Sequence, residues 1–523
     1  MGLLISYSHH FQPTPRLWTV SLQGNVMKTK TLHLMGCSLF TLLMASACVA
    51  QDLGLGRENL APSLLLGNQR GQNDHWKGIG RLQIAKASPD AYCTATLIDT
   101  RGEKSDDASP AYVLTSGHCV SLDSLNVTTD TPSDGHVDFN HFYDTAHKQL
   151  RYGLKQVNWS SQRGQDLAII ELEASLQSLI KAGIEPLRLA AKAPQVGDDL
   201  LIVGAPSQYD EKGLRLSTCS LLSSETLVEH PAVFRSFYKD QCRGLKPGSS
   251  GSPLLDRVSN QVLGVVATTT ADAKEENRCF GDAPCELQDG HPRWAPASNY
   301  SNPVGTLAQC FIEGRFAPQA EGCDLLPTVT ITPKSHAIRY YKRIKNDAAG
   351  NPVLPTWRLA FDLNTPFYRY KTVRDPLQCS SPRHYSQALP AKDALIDDPV
   401  GSEPGLYVLC VIGVESQEQS PSPTLMKNPL LVAMEIARPG PTRAPQLEIR
   451  KQDSGSYNVA WQFSHPGLSA YEYKLGGDCE NTKDYQRALE ALNIEQDKLP
   501  ATLCSRAIDM SGQRSAPRTD LLE

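Results

Sequence analysis

Short runs of apolar or alternating residues, separated by Gly, Pro, Asn and Asp, fill residues 77–312. Such punctuated runs, about four to eight residues long, are typical of β-strands, whereas a helix needs an apolar period of about 3.6. Amphipathic helical stretches are few, and residues 172–182 are the best candidate. The pattern therefore predicts a mostly antiparallel β domain. Its clearest strands are expected at residues 80–84, 112–115, 200–203 and 262–267.

The C-terminal part of the chain contains two copies of one pattern. Each copy has a tryptophan, a Tyr-Lys pair and two cysteines in the same order. The copies are offset by about 100 residues, the size of a small immunoglobulin- or fibronectin-like β-sandwich. The matched positions are Trp357, Tyr370, Lys371, Cys379 and Cys410 in the first copy and Trp461, Tyr473, Lys474, Cys479 and Cys504 in the second. Two interpretations stay open: spacers, or modules that bind substrate, a cell wall or another surface.

One segment has the features of an export signal. Residues 32–50 are apolar, follow two lysines and end in small residues, which is the order found in secretory signal peptides. We interpret Met27 as the true start and expect cleavage after Ala50. The expected location is secreted or periplasmic, with lipid attachment at Cys48 as a minor alternative.

The composition indicates a folded protein and excludes one class of partner. A chain of 523 residues exceeds what one hydrophobic core organises, and 40% hydrophobic with 20% charged residues is typical of folded protein. The net charge of −5 provides no positive electrostatic field that would attract the phosphate backbone of nucleic acid. Nucleic acid is therefore not an expected partner.

The cysteines also favour export. Of the 14 cysteines, Cys37 and Cys48 lie in the export signal, which leaves an even set of twelve. An even set in an exported chain indicates disulfides, and the CxxC spacing typical of zinc sites does not occur. We therefore do not expect a metal site.

A candidate nucleophile lies in the turn Gly248-Ser249-Ser250-Gly251, which precedes an apolar strand. A serine hydroxyl attacks a carbonyl only when a base removes its proton and preorganised donors stabilise the oxyanion. The backbone N–H groups of Gly248 and Ser250 are the predicted donors. Alone, however, this pattern is a common turn.

Two further segments supply the partners that such a serine needs. His118 follows an apolar strand and precedes Cys119, and Asp166 opens another apolar strand. A carboxylate in this role orients the imidazole and stabilises it when protonated. The order His, Asp, Ser differs from the order in α/β-hydrolases and in subtilisins.

The segments around Cys93, His118, Asp166 and Ser250 together resemble the chymotrypsin/trypsin-like serine proteases, in particular the bacterial-type branch, over about residues 77–312. Gly117 stands where that family usually has alanine. The resemblance implies an all-β fold, in which a chymotrypsin-like double β-barrel is followed here by the two sandwiches. It also implies a catalytic triad, protein or peptide substrates and no cofactor.

This resemblance completes the expected domain organisation, in which the oligomeric state is left open. An upstream extension and signal peptide occupy residues 1–50, a leader or pro-segment 51–76, a trypsin-like protease domain 77–320, and β-sandwich domains 328–437 and 441–523. The alternative to an endopeptidase is a catalytically weak binding or adhesion protein that acts through its C-terminal modules. A hydrolase of small esters is a third possibility.

The chain departs from trypsin immediately before the nucleophile. Close relatives of trypsin have an aspartate there, which pairs with the new amino terminus after zymogen cleavage, whereas this chain has Ser249. We therefore expect no maturation through that ion pair. Whether residues 51–76 form a removable leader or a permanent strap stays open.

Specificity is weakly determined by the sequence. Six residues before Ser250, where trypsin-like members carry a carboxylate, this chain has Gly244. Thr268 and Thr269 are expected in a modestly polar pocket. Arg243 and Lys246 could attract an acidic side chain, although surface cations usually stay solvated.

The resemblance implies a Cys93–Cys119 disulfide. The other pairings are nearest-neighbour predictions, because spacing alone leaves connectivity open. They are Cys219 with Cys242, Cys279 with Cys285, Cys310 with Cys323, Cys379 with Cys410, and Cys479 with Cys504.

Overall fold

A computed structural model describes most of the chain after residue 55. The described residues are 56, 58–85, 92–121, 127–281, 283–325, 330–334, 340–427, 429–462, 467–489 and 491–523. The predictions for the signal segment, including Met27, Cys48 and cleavage after Ala50, lie outside these residues. None of the helices in the described part is both long and apolar enough to cross a membrane.

A short strand, β1 (Leu64–Leu65), precedes the first barrel. Six strands of that barrel close in the order β7-β6-β2-β3-β4-β8, because β8 pairs again with β7. A seventh strand, β5, extends the sheet beside β7. These strands are β2 (Ile79–Ile84), β3 (Cys93–Leu97), β4 (Pro110–Thr115), β5 (Val127–Pro132), β6 (Gly135–Phe139), β7 (Leu150–Ser161) and β8 (Leu167–Ser175).

The helix predicted at residues 172–182 is shorter than expected. Strand β8 continues to Ser175, and only α1 (Leu176–Lys181) is helical. Leu172 is 1% exposed and pairs with Leu154 in the barrel, so sheet pairing overrides the local helical pattern. Ser175 caps the helix by accepting a hydrogen bond from the Ser178 N–H at 3.3 Å.

The second region, which we call the second barrel, is a ten-stranded sheet in the order β1-β10-β9-β13-β14-β17-β12-β11-β15-β16, and among the described residues its end strands β1 and β16 do not pair with each other. The strands predicted at 80–84, 112–115, 200–203 and 262–267 correspond to β2, β4, β9 and β14, which confirms all four. The strands of this region are β9 (Asp199–Gly204), β10 (Arg215–Ser220), β11 (Ser223–Glu229), β12 (Ala232–Asp240), β13 (Pro253–Asp256), β14 (Val262–Thr269), β15 (Cys285–Gln288), β16 (His291–Arg293) and β17 (Asn299–Pro303).

Residues 58–76 lie along the second barrel. Strand β1 pairs with β10, and Leu66 and Trp76 are buried in the core that both barrels share. The Trp76 indole donates to Asn260 Oδ1 at 3.0 Å. Burial of large apolar side chains contributes about 1.5–3 kcal/mol each, so this segment contributes to the stability of the barrels.

The first β-sandwich follows a small hairpin and contains sheets of three and five strands. Between them lies a core that includes Trp357, Phe361 and Val411. The hairpin is β18 (Phe311–Ile312) and β19 (Arg315–Phe316). The sandwich elements are β20 (Ile331–Pro333), β21 (Tyr341–Arg343), β22 (Lys345–Asn346), β23 (Pro352–Val353), β24 (Leu359–Leu363), β25 (Phe367–Val373), β26 (Leu389–Pro390), β27 (Leu395–Ile396), β28 (Gly405–Val414), α2 (Pro423–Lys427) and β29 (Leu430–Ala437).

The second β-sandwich consists of sheets of three and four strands around Trp461 and Tyr471. Its presence confirms the predicted all-β architecture, whereas the exact domain limits stay predictions. Its strands are β30 (Leu447–Lys451), β31 (Tyr457–Trp461), β32 (Leu468–Leu475), β33 (Gln486–Arg487), β34 (Ala491–Ile494), β35 (Ala501–Asp509) and β36 (Arg518–Leu522). The described residues also form short 3₁₀ helices at Asp74–Trp76, Gly117–Cys119, Ala146–Lys148, Glu275–Asn277, Leu307–Cys310, Pro376–Ser380 and Gln496–Lys498.

Each of the two sandwiches contains an internal lysine site of the same kind. In the first, Lys371 Nζ donates to the carbonyls of Gln378 at 2.6 Å and Ser381 at 2.7 Å. It also lies 4.3 Å from the ring centroid of Tyr385. The Tyr385 hydroxyl in turn donates to the Cys379 carbonyl at 2.8 Å. One cation is thus satisfied by carbonyl groups and an aromatic face.

The second sandwich repeats this arrangement. Lys474 Nζ donates to the carbonyls of Asp478 at 2.7 Å and Asn481 at 2.8 Å, and it lies 5.0 Å from the ring centroid of Tyr485. Tyr485 donates to the Cys479 carbonyl at 2.8 Å. The matched Tyr-Lys and cysteine positions in the sequence therefore correspond to matched contacts.

Candidate active site

His118 lies in the 3₁₀ turn that follows β4. A disulfide joins the next residue, Cys119, to Cys93 at the start of β3. The residue before it has no room for a side chain, because a Cβ at Gly117 would collide with the Ser161 carbonyl. This contact gives a physical reason for glycine at a position where the resembled family usually has alanine.

Asp166 immediately precedes β8, is 3% exposed and makes two contacts with His118. Its Oδ1 accepts the His118 backbone N–H at 2.9 Å, and its Oδ2 lies 2.7 Å from His118 Nδ1. A carboxylate can only accept, so Nδ1 carries the proton and Nε2 is left as the basic atom. The Asp166 N–H donates to Asn302 Oδ1 at 3.1 Å, which ties this residue to β17.

Ser250 is half-buried in the turn before β13. Its carbonyl accepts the Thr94 N–H at 2.8 Å, and the next N–H, that of Gly251, donates to the Val266 carbonyl at 2.8 Å. The same Val266 carbonyl accepts Ser116 Oγ at 2.7 Å, two residues before the histidine. One carbonyl on β14 therefore holds both the serine turn and the histidine turn.

The glycines of the serine turn are required by close packing. Gly251 has φ +84°, and a Cβ there would collide with the Thr94 carbonyl and Thr115 Oγ1. Gly248 has φ +95°, and a Cβ there would come within 2.7 Å of the Ser207 nitrogen. Both positive φ values favour glycine.

The predicted oxyanion donors have no competing acceptor within the described residues. The Gly248 carbonyl accepts Thr94 Oγ1 at 2.9 Å, whereas the N–H groups of Gly248 and Ser250 donate to no protein acceptor in this part of the chain. Free N–H groups beside a nucleophile can stabilise the negative oxygen of a tetrahedral intermediate.

The predicted pocket residues Gly244 and Thr269 form hydrogen bonds with different partners. The Gly244 carbonyl accepts hydrogen bonds from the hydroxyl groups of Ser63 at 3.2 Å and Tyr209 at 2.9 Å, so the N-terminal segment covers Gly244. Thr269 Oγ1 donates to Asn299 Oδ1 at 2.8 Å, and Thr268 is half-buried beside it. No hydrogen bond within the described part of the chain joins Gly244 to either threonine.

A buried network behind Thr269 was not predicted. Asn299 Nδ2 donates to Asp240 Oδ1 at 2.7 Å and to the Cys242 carbonyl at 2.8 Å. Burial raises the pKa of Asp240 to about 6, although hydrogen bonds from Asn299 and the Cys242 N–H oppose this. The participants come from β12, β14 and β17 and form no local sequence motif.

Asp240 should make the stability of the protein fall as the pH rises from about 4 to about 6. An unfolded aspartate releases its proton near pH 3.9, whereas the folded protein keeps it to about pH 6. The native state binds more protons in this window, so stability decreases through it. Asp240→Asn does not titrate and should flatten this part of a plot of thermal midpoint against pH.

Asp138→Asn is the control, because the contribution of Asp138 to stability depends on pH in the opposite direction to that of Asp240. Burial raises the pKa of Asp138, but Arg151, His136 and Arg81 outweigh it and leave that pKa lowered. The carboxylate therefore stabilises the protein above its unfolded pKa and loses this effect as the pH falls. An Asp240→Asn protein with the wild-type slope would refute the assignment.

The six disulfides join the cysteine pairs expected from the sequence. Two groups in the described residues have spacing that could hold a metal: Cys93, His118 and Cys119, and Cys219, Asp240 and Cys242. Both cysteines of each group form a disulfide, so they supply no thiolate ligand.

The two nearby cationic residues, Lys246 and Arg243, both contact other parts of the protein. Lys246 Nζ forms an ion pair with Asp272 at 2.9 Å, and this hydrogen bond raises the pKa of Lys246. The Arg243 backbone N–H donates to Asn59 Oδ1 in the N-terminal segment at 3.0 Å. The charge of Lys246 is thus partly compensated by the protein itself.

Comparison with known proteins agrees with the resemblance. Residues 93–265 match the family model of the trypsin-like peptidase domain, which confirms the resemblance over the segment that carries the motifs. No curated protein matches the chain.

Several solved structures resemble part of the chain. A thermostable serine protease, AL20, from an extremophilic microorganism is 16% identical, with a TM-score of 0.30, over 47% of this chain and 98% of its own. A Glu endopeptidase is 16% identical, with a TM-score of 0.30, over 49% and 95%. The serine endoprotease from Yersinia pestis is 9% identical, with a TM-score of 0.28, over 55% and 89%.

Proposed function

We propose that this protein is an exported serine endopeptidase that hydrolyses peptide bonds through Ser250, His118 and Asp166. The 2.7 Å contact between His118 Nδ1 and Asp166 Oδ2 is the observation that carries the proposal. It directs the basic Nε2 atom of His118 away from the aspartate, and the serine turn is held on the same β14 carbonyl as the histidine turn.

In the proposed mechanism, His118 removes the proton of the Ser250 hydroxyl as its oxygen attacks the peptide carbonyl. The C–O bond forms, and the carbonyl electrons move to the oxygen, which binds the N–H groups of Gly248 and Ser250. Collapse of this intermediate breaks the C–N bond, and His118 gives its proton to the leaving amine. Water then attacks the acyl-enzyme through the same steps, with His118 again as base and then acid, and releases Ser250. Asp166 stabilises the His118 imidazolium each time it forms.

Export is part of the same proposal. All twelve cysteines after the predicted signal segment are in disulfides, including two pairs in the sandwiches. Disulfides persist in oxidising compartments such as the periplasm or the extracellular space. Because Leu66 and Trp76 are buried in the shared core, we also propose that residues 58–76 remain in the active enzyme as a strap.

A fluorophosphonate probe on the full-length, processed protein tests the activated serine. We expect one adduct, on Ser250, located by peptide mass spectrometry and absent in Ser250→Ala. A peptide library then separates an endopeptidase from an esterase, because an esterase leaves peptides uncut. If folded protein forms no adduct, the binding or adhesion function of the C-terminal modules takes precedence.

A further inference from the structure

The first sandwich and the second barrel share a buried apolar core. Residues from both contribute to one cluster, in which all members are largely inaccessible to solvent. It includes Val228, Val233 and Leu287 from the barrel side and Leu406, Val408 and Leu431 from the sandwich. The Ala433 N–H also donates to the Pro231 carbonyl at 3.2 Å. An apolar junction of this kind favours fixed docking over independent movement of the domains.

At this junction lies the loop that carries Asp166, residues 162–166 between β7 and β8. Arg163 in this loop is 5% exposed, and its Nε donates to the carbonyl of Pro429 in the first sandwich at 3.3 Å. Its own N–H donates to Ser161 Oγ at 2.9 Å. The loop therefore has a direct hydrogen bond to a residue that immediately precedes β29.

A second arginine holds the other side of the loop. The Arg235 N–H on β12 donates to the Gly164 carbonyl at 3.2 Å. Its side chain extends into the first sandwich, where Nη1 donates to Ser380 Oγ at 3.1 Å and Nη2 donates to the Lys427 carbonyl. Arg163, which is buried, and Arg235, which is half-buried, thus connect the loop to the sandwich.

Burial of these cations is costly, and it lowers the pKa of Arg163 to about 10. A buried charge destabilises a protein unless its contacts compensate for desolvation. Arg163 lies only three residues before Asp166, whose two oxygens make the short contacts with His118. Displacement of the loop would therefore change the orientation of the imidazole.

We propose that the first sandwich is a structural part of the catalytic centre and that Arg163 is a positioning residue for Asp166. This inference rests on the proposed function. The sandwich acts neither as a spacer nor primarily as a target-binding module. It fixes the 162–166 loop through the Pro429 carbonyl, and the loop fixes the aspartate.

The test uses full-length Arg163→Met and Arg163→Lys proteins, with Arg343→Met as the matched control. Arg343 is also a buried arginine at a domain junction, but it pairs with Asp509 of the second sandwich at 2.9 Å, away from the loop. We expect Arg163→Met to lower kcat about 10- to 100-fold, the effect of a small misplacement of a catalytic group, with little change in KM. Labelling of Ser250 by fluorophosphonate should slow in parallel.

Arg163→Lys retains a buried donor and should recover part of the lost rate, whereas Arg343→Met should keep the wild-type kcat. If Arg163→Met does not fold, Arg163→Lys decides, since a reduced kcat at an unchanged thermal midpoint supports positioning. Wild-type kcat and labelling in folded Arg163 variants would overturn the inference. If the wild-type protein itself forms no adduct, the proposed function fails instead.

Discussion

Replacement of Ser250 by alanine should lower kcat by about 10⁶-fold, the effect expected when a nucleophile of this type is removed. The alanine should fit the turn, because the flanking backbone bonds from Thr94 to the Ser250 carbonyl and from Gly251 to Val266 do not use the side chain. Steady-state hydrolysis of a selected peptide measures the effect. Thermal midpoint and circular dichroism should match the wild type.

The double variant Ser250→Ala/His118→Ala provides the sharper comparison. Because the two residues act as one unit, the second replacement should cost almost nothing beyond the first. Additive losses would show that histidine and serine serve separate functions. A Ser250→Ala protein that still cleaves peptides at the wild-type rate would remove this serine from the mechanism.

Asp166→Asn should lower kcat by about 10⁴-fold while leaving the fold intact. The His118 backbone N–H donates to Oδ1, so the asparagine oxygen stays at that position. Its amide group then faces His118 Nδ1, where it can only donate. The imidazole would have to carry its proton on Nε2, and that atom could no longer accept the serine proton.

A proton NMR spectrum in the low-field region would follow this change, since the Nδ1–H signal of the hydrogen-bonded histidine should disappear in Asp166→Asn. Asp509→Asn is the matched control: it removes an equally buried carboxylate, 1% exposed, in the second sandwich. This control should keep both the signal and kcat. A normal kcat in folded Asp166→Asn would contradict the proposed role.

Much of the candidate active site could be predicted from local sequence patterns. The turns around His118 and Ser250 each have an adjacent apolar strand and the small residues that their packing requires, and Asp166 stands where its strand begins. Disulfide partners were also predictable, since the cysteines of each pair are neighbours among the cysteines along the chain. These features depend on short stretches, where residue type and backbone conformation are directly linked.

The remaining features depend on contacts between distant strands. Asn302 orients Asp166 across 136 positions, and an asparagine in a strand carries no signal of its partner. The Asp240 network likewise joins residues that are far apart along the chain. Ser63 covers Gly244 because a short N-terminal strand adds to β10. The helix predicted at residues 172–182 was too long, because strand pairing of Leu172 inside a closed barrel outweighs the local preference for helix.

The repeated lysine site gives the two sandwiches the same internal contacts. Both copies contain the cation, its carbonyl ligands, the tyrosine and the disulfide, but their outer sheets differ at equivalent pairs. Val408 pairs with Ala433 in the first copy, where both are buried against the barrel. Thr502 pairs with Leu521 in the second, and Leu521 is 65% exposed. The apolar surface that buries Val408 and Ala433 against the second barrel is therefore a feature of the first sandwich, whereas the equivalent pair of the second sandwich leaves Leu521 in contact with solvent.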